Sequence, residues 1–217
     1  MIKLVNVTKY YNIKKQRHFI LKDMTYTFPE NKSIGLLGAN GAGKSTLLRL
    51  LGGIEYPNSG KIQTDCSISW PVGLSSGFQG SLSATQNIKF VCQIYNKTPA
   101  ERKRITEFVR EFAEIGKFFD MPVKTYSSGM KSRVNFGLSM AFDFDYYLVD
   151  EVTGVGDASF KSKAKAEFDK KREKSNIIMV SHSMGELKKN VDIGVLLKDG
   201  HFTVYEDIDD AIAEYKK

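Results

Sequence analysis

The chain has 217 residues, of which 41% are hydrophobic and 26% charged, and its formal net charge is +7. This length suits one domain with a buried core, and the composition excludes a disordered chain. The longest apolar runs are too short to span a bilayer, and no signal peptide is recognisable. Cys66 and Cys92 lie far apart and form no CxxC motif, so we expect a reducing cytosol.

The excess of positive charge favours a polyanionic partner, either nucleic acid or the anionic inner leaflet of a membrane. The basic residues are concentrated in two stretches, ERKRITEFVR at residues 101–110 and KKREK at residues 170–174. Such runs are typical of solvated helix faces as well as of functional patches, and the sequence leaves both interpretations open.

The N-terminal part of the chain predicts strands followed by a Gly-rich loop and a helix, and its first strands have an antiparallel character. The predicted elements are strands at MIKLVNVTKYY (1–11), MTYTF (24–28) and SIGLLG (33–38), and a helix at STLLRLLGGI (45–54).

The middle of the chain is strongly helical. In TPAERKRITEFVREFAEIGKFF, at residues 98–119, Thr98 and Glu101 form a capping box with Pro99 in the first helical position. One apolar stripe has helical spacing and consists of Ile105, Phe108, Val109, Phe112 and Ile115. Together with a second helix after residue 127, this stretch predicts a helical subdomain at about residues 75–140, inserted in a single domain that covers residues 1–217.

The C-terminal part alternates short apolar strands with helices, which indicates an α/β fold with a largely parallel sheet. The predicted strands are YYLVD (146–150), NIIMV (176–180), IGVLL (193–197) and FTVY (202–205). The predicted helices are ASFKSKAKAEFDKKRE (158–173), MGELKKN (184–190) and DIDDAIAEYKK (207–217).

GANGAGKST matches the phosphate-loop pattern G-x-x-x-x-G-K-[ST] in full, between a predicted strand and a predicted helix. Its glycines allow backbone amides to wrap a polyphosphate, and the helix start adds positive potential. Lys44 would reach the β- and γ-phosphates, and the Ser45 hydroxyl would bind Mg²⁺. The predicted binding residues are Gly38, Ala39, Asn40, Gly41, Ala42, Gly43, Lys44, Ser45 and Thr46.

Polar residues follow two of the later buried strands. Asp150 and Glu151 end YYLVDE, and carboxylates at the C-terminal edge of a parallel sheet lie beside its ligand crevice. Asp150 can hold Mg²⁺ through water, and Glu151 can orient or deprotonate an attacking water within hydrogen-bond reach. His182 follows NIIMV, where a donor to a γ-phosphate would be useful, whereas His18 and His201 have no such placement and are interpreted as surface residues.

TYSSGM, at residues 125–130, has turn chemistry, and Ser127 is a candidate N-cap for the helix that follows. With the phosphate loop before it and the DE pair and strand-end His182 after it, the chain resembles the ATP-binding cassette (ABC) ATPases over essentially its whole length. The resemblance implies the P-loop NTPase fold of the ABC type, with a mostly parallel core sheet, an N-terminal antiparallel part and a helical subdomain.

The resemblance implies a role for each matching position. Gly38–Thr46 resembles Walker A, Tyr146–Asp150 resembles Walker B, and Glu151 resembles the catalytic glutamate. Gln79 resembles the Q-loop glutamine, which senses Mg²⁺ and contacts the membrane partner, and His182 the switch histidine. Tyr11, with Tyr10 as an alternative, resembles the aromatic residue that stacks on adenine. Gly154–Asp157 resembles the D-loop, and Tyr126–Met130 the signature motif.

In this family the signature of one subunit completes the ATP site of another, which implies a two-fold dimer with two shared sites. Ser127, Ser128 and Gly129 would contact the partner's nucleotide. Ser128 replaces a signature glycine, Met130 replaces the glutamine, and the D-loop reads GVGD, which puts the hydrolysis rate or the coupling of the sites in doubt. Lys44, Asp150 and Glu151 argue against a non-hydrolysing cassette.

The chain is similar to the ATPases of capsular polysaccharide exporters of Gram-negative bacteria, a resemblance that rests on the segment SWPVGLSSGFQGSL and on the end at Lys217. The resemblance implies two copies of a polytopic inner-membrane permease subunit, polysaccharide export machinery as partner, and a peripheral location on the cytoplasmic face of the inner membrane. O-antigen and teichoic acid exporters share YSSGM and remain an alternative. A nucleic-acid-linked ABC ATPase is a further alternative, supported by charge alone, so no nucleic acid is expected.

Overall fold

The computed structural model describes residues 1–73, 78–150 and 157–217. The chain forms two compact units, one made of Met1–Pro71, Phe144–Glu151 and Lys174–Lys217, and one made of Val72–Asp143 and Val152–Glu173. The assignment of one domain with a helical insert at about residues 75–140 stays a prediction.

The first unit contains two sheets. A three-stranded antiparallel sheet has the order β2-β1-β4, and a six-stranded sheet has the order β5-β6-β7-β3-β8-β9. The second sheet is parallel apart from β9, which pairs antiparallel with β8. The strands are β1 (Ile2–Ile13), β2 (Gln16–Phe28), β3 (Ile34–Leu37), β4 (Ser59–Thr64), β5 (Ile68–Pro71), β6 (Tyr146–Asp150), β7 (Asn176–Val180), β8 (Ile193–Lys198) and β9 (His201–Tyr205). The predicted α/β class, with a largely parallel sheet and an antiparallel N-terminal part, is confirmed.

The helices of this unit are α1 (Lys44–Leu51), α6 (Met184–Asn190) and α7 (Ile208–Tyr215). Successive residues of the central strands β3, β6 and β7 are buried, so both faces of these strands are covered, as their continuous apolar runs predict. Gly194 on β8 lies so close to α7 that a Cβ atom there would overlap Ala211. This close packing fixes α7 against the sheet, as its buried face of Ile208, Ala211 and Ile212 requires.

The second unit contains helices α2 (Ala84–Ile94), α3 (Pro99–Ala113), α4 (Ser128–Ala141) and α5 (Ala158–Arg172). The Phe112 ring stacks on Phe108 and Phe136 at centroid distances of 5.8 Å and meets Phe160 edge-on at 5.2 Å. This aromatic cluster is contributed by α3, α4 and α5, and it supplies much of the apolar burial that holds the three helices together.

The helix predicted at residues 98–119 begins as expected but ends earlier. The capping box of Thr98 and Glu101 at the start of α3 is confirmed. The prediction of one continuous helix to Phe119 is wrong, because Glu114 and Gly116 adopt left-handed backbone conformations, with φ values of 52° and 53°. The chain turns there and continues as a short 3₁₀ helix at Gly116–Asp120.

Candidate functional site

The phosphate loop connects β3 to α1, the two elements that the sequence predicts around it. Gly43 precedes the first residue of α1 and has a φ value of 102°, which is unfavourable for residues with a Cβ atom. A Cβ atom there would also overlap the Ile20 side chain. The glycine therefore allows the loop to pass close to β2 and to present its amides at a helix N-terminus, which is a favourable place for phosphate.

The Lys44 side chain lies along the inside of this loop. Its Nζ atom donates hydrogen bonds to the carbonyl oxygens of Gly38 and Ala39, at 2.7 and 3.1 Å. The ammonium group is thus held beside the loop amides, where a phosphate would be attracted to both. Ser45 is half-buried in the first turn of α1, and Thr46, next to it, is buried.

One edge of the six-stranded sheet carries the phosphate loop, Asp150 and His182. Leu36 of β3 and Asp150 of β6 both pair with Val180 of β7, so the three parallel strands end level with one another. His182 follows Val180 by two residues and is exposed, between Ser181 and the N-cap of α6. The structure therefore brings these predicted residues to the C-terminal edge of one parallel sheet, the usual ligand crevice of such folds.

The oxygen donors at this edge fit Mg²⁺. Ser45 offers a hydroxyl and Asp150 a carboxylate, and Mg²⁺ bound with a nucleotide typically takes one or two carboxylates together with phosphate oxygens. The described part of the chain has no cluster of three or more His, Cys, Asp or Glu side chains that could hold a metal by itself. Glu151, the expected catalytic glutamate, lies outside the described residues.

Tyr11 and Tyr10 have different surroundings. The Tyr11 hydroxyl donates a 2.6 Å hydrogen bond to Glu55, just beyond α1, and the ring packs on the core. The Tyr10 ring instead contacts Phe19 and Arg17 on the neighbouring strand. The side chain of Tyr11 is thus tied to the segment after α1 whereas the Tyr10 ring packs elsewhere, and the assignment of Tyr11 as the adenine-stacking residue stays a prediction.

Glu55 and Arg49 are residues that sequence reasoning missed. Arg49 Nε donates to Glu55 at 2.6 Å, and Lys9 lies 3.0 Å from the same carboxylate. Burial alone would raise the pKa of Glu55, but hydrogen bonds from Tyr11, Arg49 and Lys9 outweigh burial and lower that pKa from 4.5 to about 2. No local motif marks this cluster, because its members come from β1, α1 and the loop after α1.

The histidines interpreted as surface residues, His18 and His201, are both exposed, as expected. They lie in a cleft of about 1020 Å³ that also borders the phosphate loop at residues 38–42. Basic side chains line it as well, including Arg17 and Lys22. The position of the two histidines beside the loop could not be inferred from the sequence, because His18 lies on β2 and His201 on β9, two strands of different sheets.

The signature segment lies in the second unit. Ser127 is the N-cap of α4, and its Oγ atom accepts from the Met130 amide at 3.2 Å, as the sequence predicts. The buried Tyr126 side chain fixes the start of this segment, because its hydroxyl donates a hydrogen bond to the Phe119 carbonyl oxygen at 3.0 Å. Ser127 and Ser128 are exposed, and both line a cleft of about 830 Å³ together with Gly129. The helix start is therefore accessible to a ligand.

Asp157 lies in the same cleft as the signature residues. Arg133, on α4, donates to Asp157 at 2.7 Å, and Asp157 caps α5 by accepting from the Phe160 amide. Hydrogen bonds from Ser159 and the Phe160 amide, together with the charge of Arg133, lower the pKa of Asp157. The remaining D-loop positions, residues 154–156, lie outside the described residues.

Gln79 is exposed, and its backbone is held by a buried side chain. Asn87 of α2 accepts from the Gln79 amide at 2.7 Å and donates to the Gln79 carbonyl at 3.2 Å. Neither α2 nor this role of Asn87 was predicted from the sequence. The signal was present, since Ser83 and Gln86 have capping-box spacing and form that box in the structure.

The first basic stretch lies on α3, and the second begins on α5 and extends two residues beyond its end at Arg172. Acidic neighbours pair with several residues of both stretches. Arg110 contacts Asp120 at 2.7 Å, and Lys171 contacts Asp143 at 2.5 Å. This pairing favours the interpretation of both stretches as solvated helix faces.

Comparisons with known proteins agree with this geometry. The family model described as ABC transporter matches residues 21–154. The polysialic acid transport ATP-binding protein KpsT of Escherichia coli is 56% identical, over 100% of this chain and 99% of that protein. The capsule polysaccharide export ATP-binding protein CtrD of Neisseria meningitidis serogroup B is 44% identical, over 99% and 98%.

Among solved structures, the dimeric ATP-binding cassette MJ0796 bound to ADP and Pi superposes with a TM-score of 0.73 at 21% identity, over 95% of this chain and 98% of that chain. This likeness concerns the fold. The chain belongs to the ABC transporter family, as one of its ATP-binding proteins. Such proteins are ATPases, and the chain is an ATP hydrolase of this class. Within the described residues, no helix is both long enough and apolar enough to cross a membrane.

Proposed function

We propose that this protein is the ATP-hydrolysing subunit of an exporter that moves a lipid-linked capsular polysaccharide across the bacterial inner membrane. The observation that carries the proposal is the full-length identity of 56% to a polysialic acid transport ATP-binding protein. It is supported by the alignment of the phosphate loop, Asp150 and His182 at one sheet edge. An acidic capsular polymer is therefore the substrate class.

Each site residue has a proposed task in hydrolysis. Loop amides and Lys44 bind the phosphates of ATP, while the ring of Tyr11 stacks on adenine. Ser45, Gln79 and Asp150 would hold Mg²⁺, and the ion would supply positive charge against the phosphates. Glu151 orients and deprotonates the attacking water, and His182 donates to the γ-phosphate.

We further propose a head-to-tail dimer of this chain with two shared ATP sites. The exposed N-terminus of α4 supports this arrangement, because its amides are available to an anion from outside the chain. Ser127, Ser128 and Gly129 bind the γ-phosphate held by the partner's phosphate loop. Asp157, the last residue of the D-loop, is tied to α4 through Arg133 and so links the D-loop to the signature helix.

The membrane partner would bind the second unit beside Gln79. Phe90 and Ile94 lie one turn apart on α2 and are 54% and 60% exposed, although both are apolar. The backbone of Gln79 is fastened to the same helix through Asn87. Two copies of a polytopic permease would use this surface and hold the ATPase on the cytoplasmic face of the inner membrane, as part of the polysaccharide export machinery.

Purification of the Glu151→Gln variant in mild detergent with ATP and Mg²⁺ tests the proposal. We expect a small polytopic inner-membrane protein to co-purify, together with a lipid-linked acidic capsular glycan. The Lys44→Ala variant is the matched control, and we expect it to recover much less of this complex. Co-purification of an O-antigen or teichoic acid precursor would overturn the substrate class. Recovery of ribosomes or DNA without a membrane protein would overturn the transport function and leave the ATPase chemistry intact.

A further inference from the structure

A polar cluster connects Tyr11 to the helix that follows the phosphate loop. The Glu55 carboxylate accepts from the Tyr11 hydroxyl and from Arg49 Nε, each at 2.6 Å. Arg49 Nη2 also contacts the Tyr11 hydroxyl at 3.4 Å and donates to Thr46 Oγ1 at 3.1 Å. Thr46 is the last residue of the phosphate-loop motif, so continuous hydrogen bonds run from the loop to the aromatic ring.

Lys9 completes the cluster from the β1 side. Its side chain is 11% exposed, and its ammonium lies 3.0 Å from Glu55 and donates to the Tyr56 carbonyl at 2.9 Å. The same ammonium lies over the Tyr11 ring, 5.1 Å from its centroid. The ring of Tyr11 is therefore held at its hydroxyl and covered on one face, which limits its rotation.

We propose that Glu55 is a positioning residue that, with Arg49, fixes the Tyr11 ring relative to the phosphate loop and so sets the affinity of the site for the nucleoside part of ATP. This inference rests on the proposed role of Tyr11 in stacking on adenine. Tyr11 is only partly buried, so part of its ring is open to a base. Among the described residues the hydrogen bonds of this cluster reach the loop motif at Thr46, and Glu55 itself touches no residue of the motif, so we expect the phosphate contacts not to depend on Glu55.

The proposal predicts that base recognition and phosphate recognition separate in the Glu55→Gln variant. Calorimetry would measure the dissociation constants of ATP and of inorganic tripolyphosphate, which has the phosphates but no base. We expect the Kd for ATP to rise about tenfold, a fraction of the stacking contribution, while the Kd for tripolyphosphate stays at the wild-type value. Equal weakening for both ligands, or no change for either, would overturn the proposal.

Tyr11→Phe provides a second variant, which keeps the ring and removes only the hydroxyl that Glu55 holds. We expect Tyr11→Phe to weaken ATP binding by a similar factor. We expect the double variant to bind ATP no more weakly than either single variant, because both substitutions break the same hydrogen bond between Tyr11 and Glu55. If the losses of ATP affinity added up in the double variant, Glu55 and Tyr11 would act independently, which would contradict the proposal. Glu206→Gln, at an exposed glutamate of the same unit, is the matched control and leaves both dissociation constants unchanged.

The failure of this inference can be told apart from the failure of the role of Tyr11. Tyr11→Leu removes the ring and should weaken ATP binding at least as much as Glu55→Gln. If Tyr11→Leu binds ATP normally, Tyr11 does not stack on the base, and both the role of Tyr11 and the positioning role of Glu55 are wrong. If Tyr11→Leu binds weakly and Glu55→Gln binds normally, only the positioning role of Glu55 is wrong.

Discussion

Arg133 and Asp157 join the signature helix to the helix that follows the D-loop. The guanidinium donates to the carboxylate at 2.7 Å, and it also lies 4.5 Å from the ring centroid of Phe160, in the first turn of α5. Arg133 is only 18% exposed, although Asp157 is 62% exposed. The contact therefore places a half-buried cation between two segments that the proposed dimer would use together.

Removal of this contact should affect turnover more than nucleotide binding. We expect Arg133→Ala to bind ATP with wild-type affinity, because the phosphate loop is unchanged, but to hydrolyse it more slowly, by up to about a hundredfold, since a small misplacement of a positioned group can cost that much. Steady-state kinetics and ATP titration measure the two quantities. Asp120→Asn, which breaks the similar Arg110 pair of the same unit, is the control. An equal loss in both variants would indicate general destabilisation instead.

Ser127 has a structural and a proposed catalytic role, which two substitutions can separate. Ser127→Ala removes the N-cap and should lower the free energy of unfolding by about 1 kcal/mol. Ser127→Asp retains a capping oxygen and hence stability, but its charge would repel the partner's γ-phosphate. We expect Ser127→Asp to melt like the wild type and to lack ATPase activity. Normal activity of this variant would exclude Ser127 from the ATP site.

Mixed dimers test whether the sites are shared. A dimer of one Lys44→Ala and one Ser127→Asp subunit has one intact combination of phosphate loop and signature, whereas each parent homodimer has none. We expect the mixture to bind one ATP per dimer tightly in a Glu151→Gln background. If a subunit formed its site alone, the mixture would equal the average of the two parents.

Phe90 tests the proposed membrane-partner surface. A charge on this exposed apolar face should prevent docking without disturbing the fold, because the side chain is 54% exposed and packs little. We expect Phe90→Glu to retain ATP binding in solution and to be lost from the membrane fraction of cells, as measured by fractionation. Phe90→Leu keeps the apolar surface and should remain membrane-associated. Membrane recovery of Phe90→Glu at the wild-type level would place the partner elsewhere.

The sequence predicted the elements whose patterns are strong and local. The continuous apolar strands around YYLVD and NIIMV, the phosphate loop and the Ser127 cap all have short-range signals, and they were found. β4 was missed because its residues are mostly exposed and show no apolar alternation. The first eight residues of β2, at positions 16–23, were missed as well, because six of them are exposed and the adjacent buried pair Ile20 and Leu21 shows no apolar alternation.

The site residues that were missed depend on contacts between distant segments. Glu55 meets Lys9 across 46 positions of sequence, and Arg133 meets Asp157 across 24, so neither pair forms a motif. Glutamate, lysine, arginine and aspartate are also common on protein surfaces, so their residue types alone do not mark these contacts. In contrast, the positions of Lys44 after β3 and of Asp150 at the end of β6 could be predicted, because a phosphate loop and a strand-end carboxylate are defined by local spacing, and their roles stay predictions.

Glu55 also makes a prediction about acid stability. Its pKa is about 2 in the folded chain and near 4.5 otherwise, so its ion pairs stabilise the fold fully above about pH 4.5 and are lost as the pH falls toward 2. We expect thermal melts of the wild type and Glu55→Gln to differ most at neutral pH and to converge between pH 4.5 and 2. A constant difference over this range would mean that the carboxylate does not carry the effect.

The most direct test of the exporter function is the location of capsular polysaccharide in cells whose only copy of this protein carries Lys44→Ala. The loss of the ammonium beside the loop amides should abolish ATP binding, so the permease would remain but have no energy source. We predict that polymer synthesis continues, that the acidic polysaccharide accumulates inside the cell, and that the surface amount falls at least tenfold, as expected when an essential phosphate contact is lost. Lys61→Ala, at an exposed lysine of β4, should export normally. Surface polysaccharide at the wild-type level in Lys44→Ala cells would contradict the account.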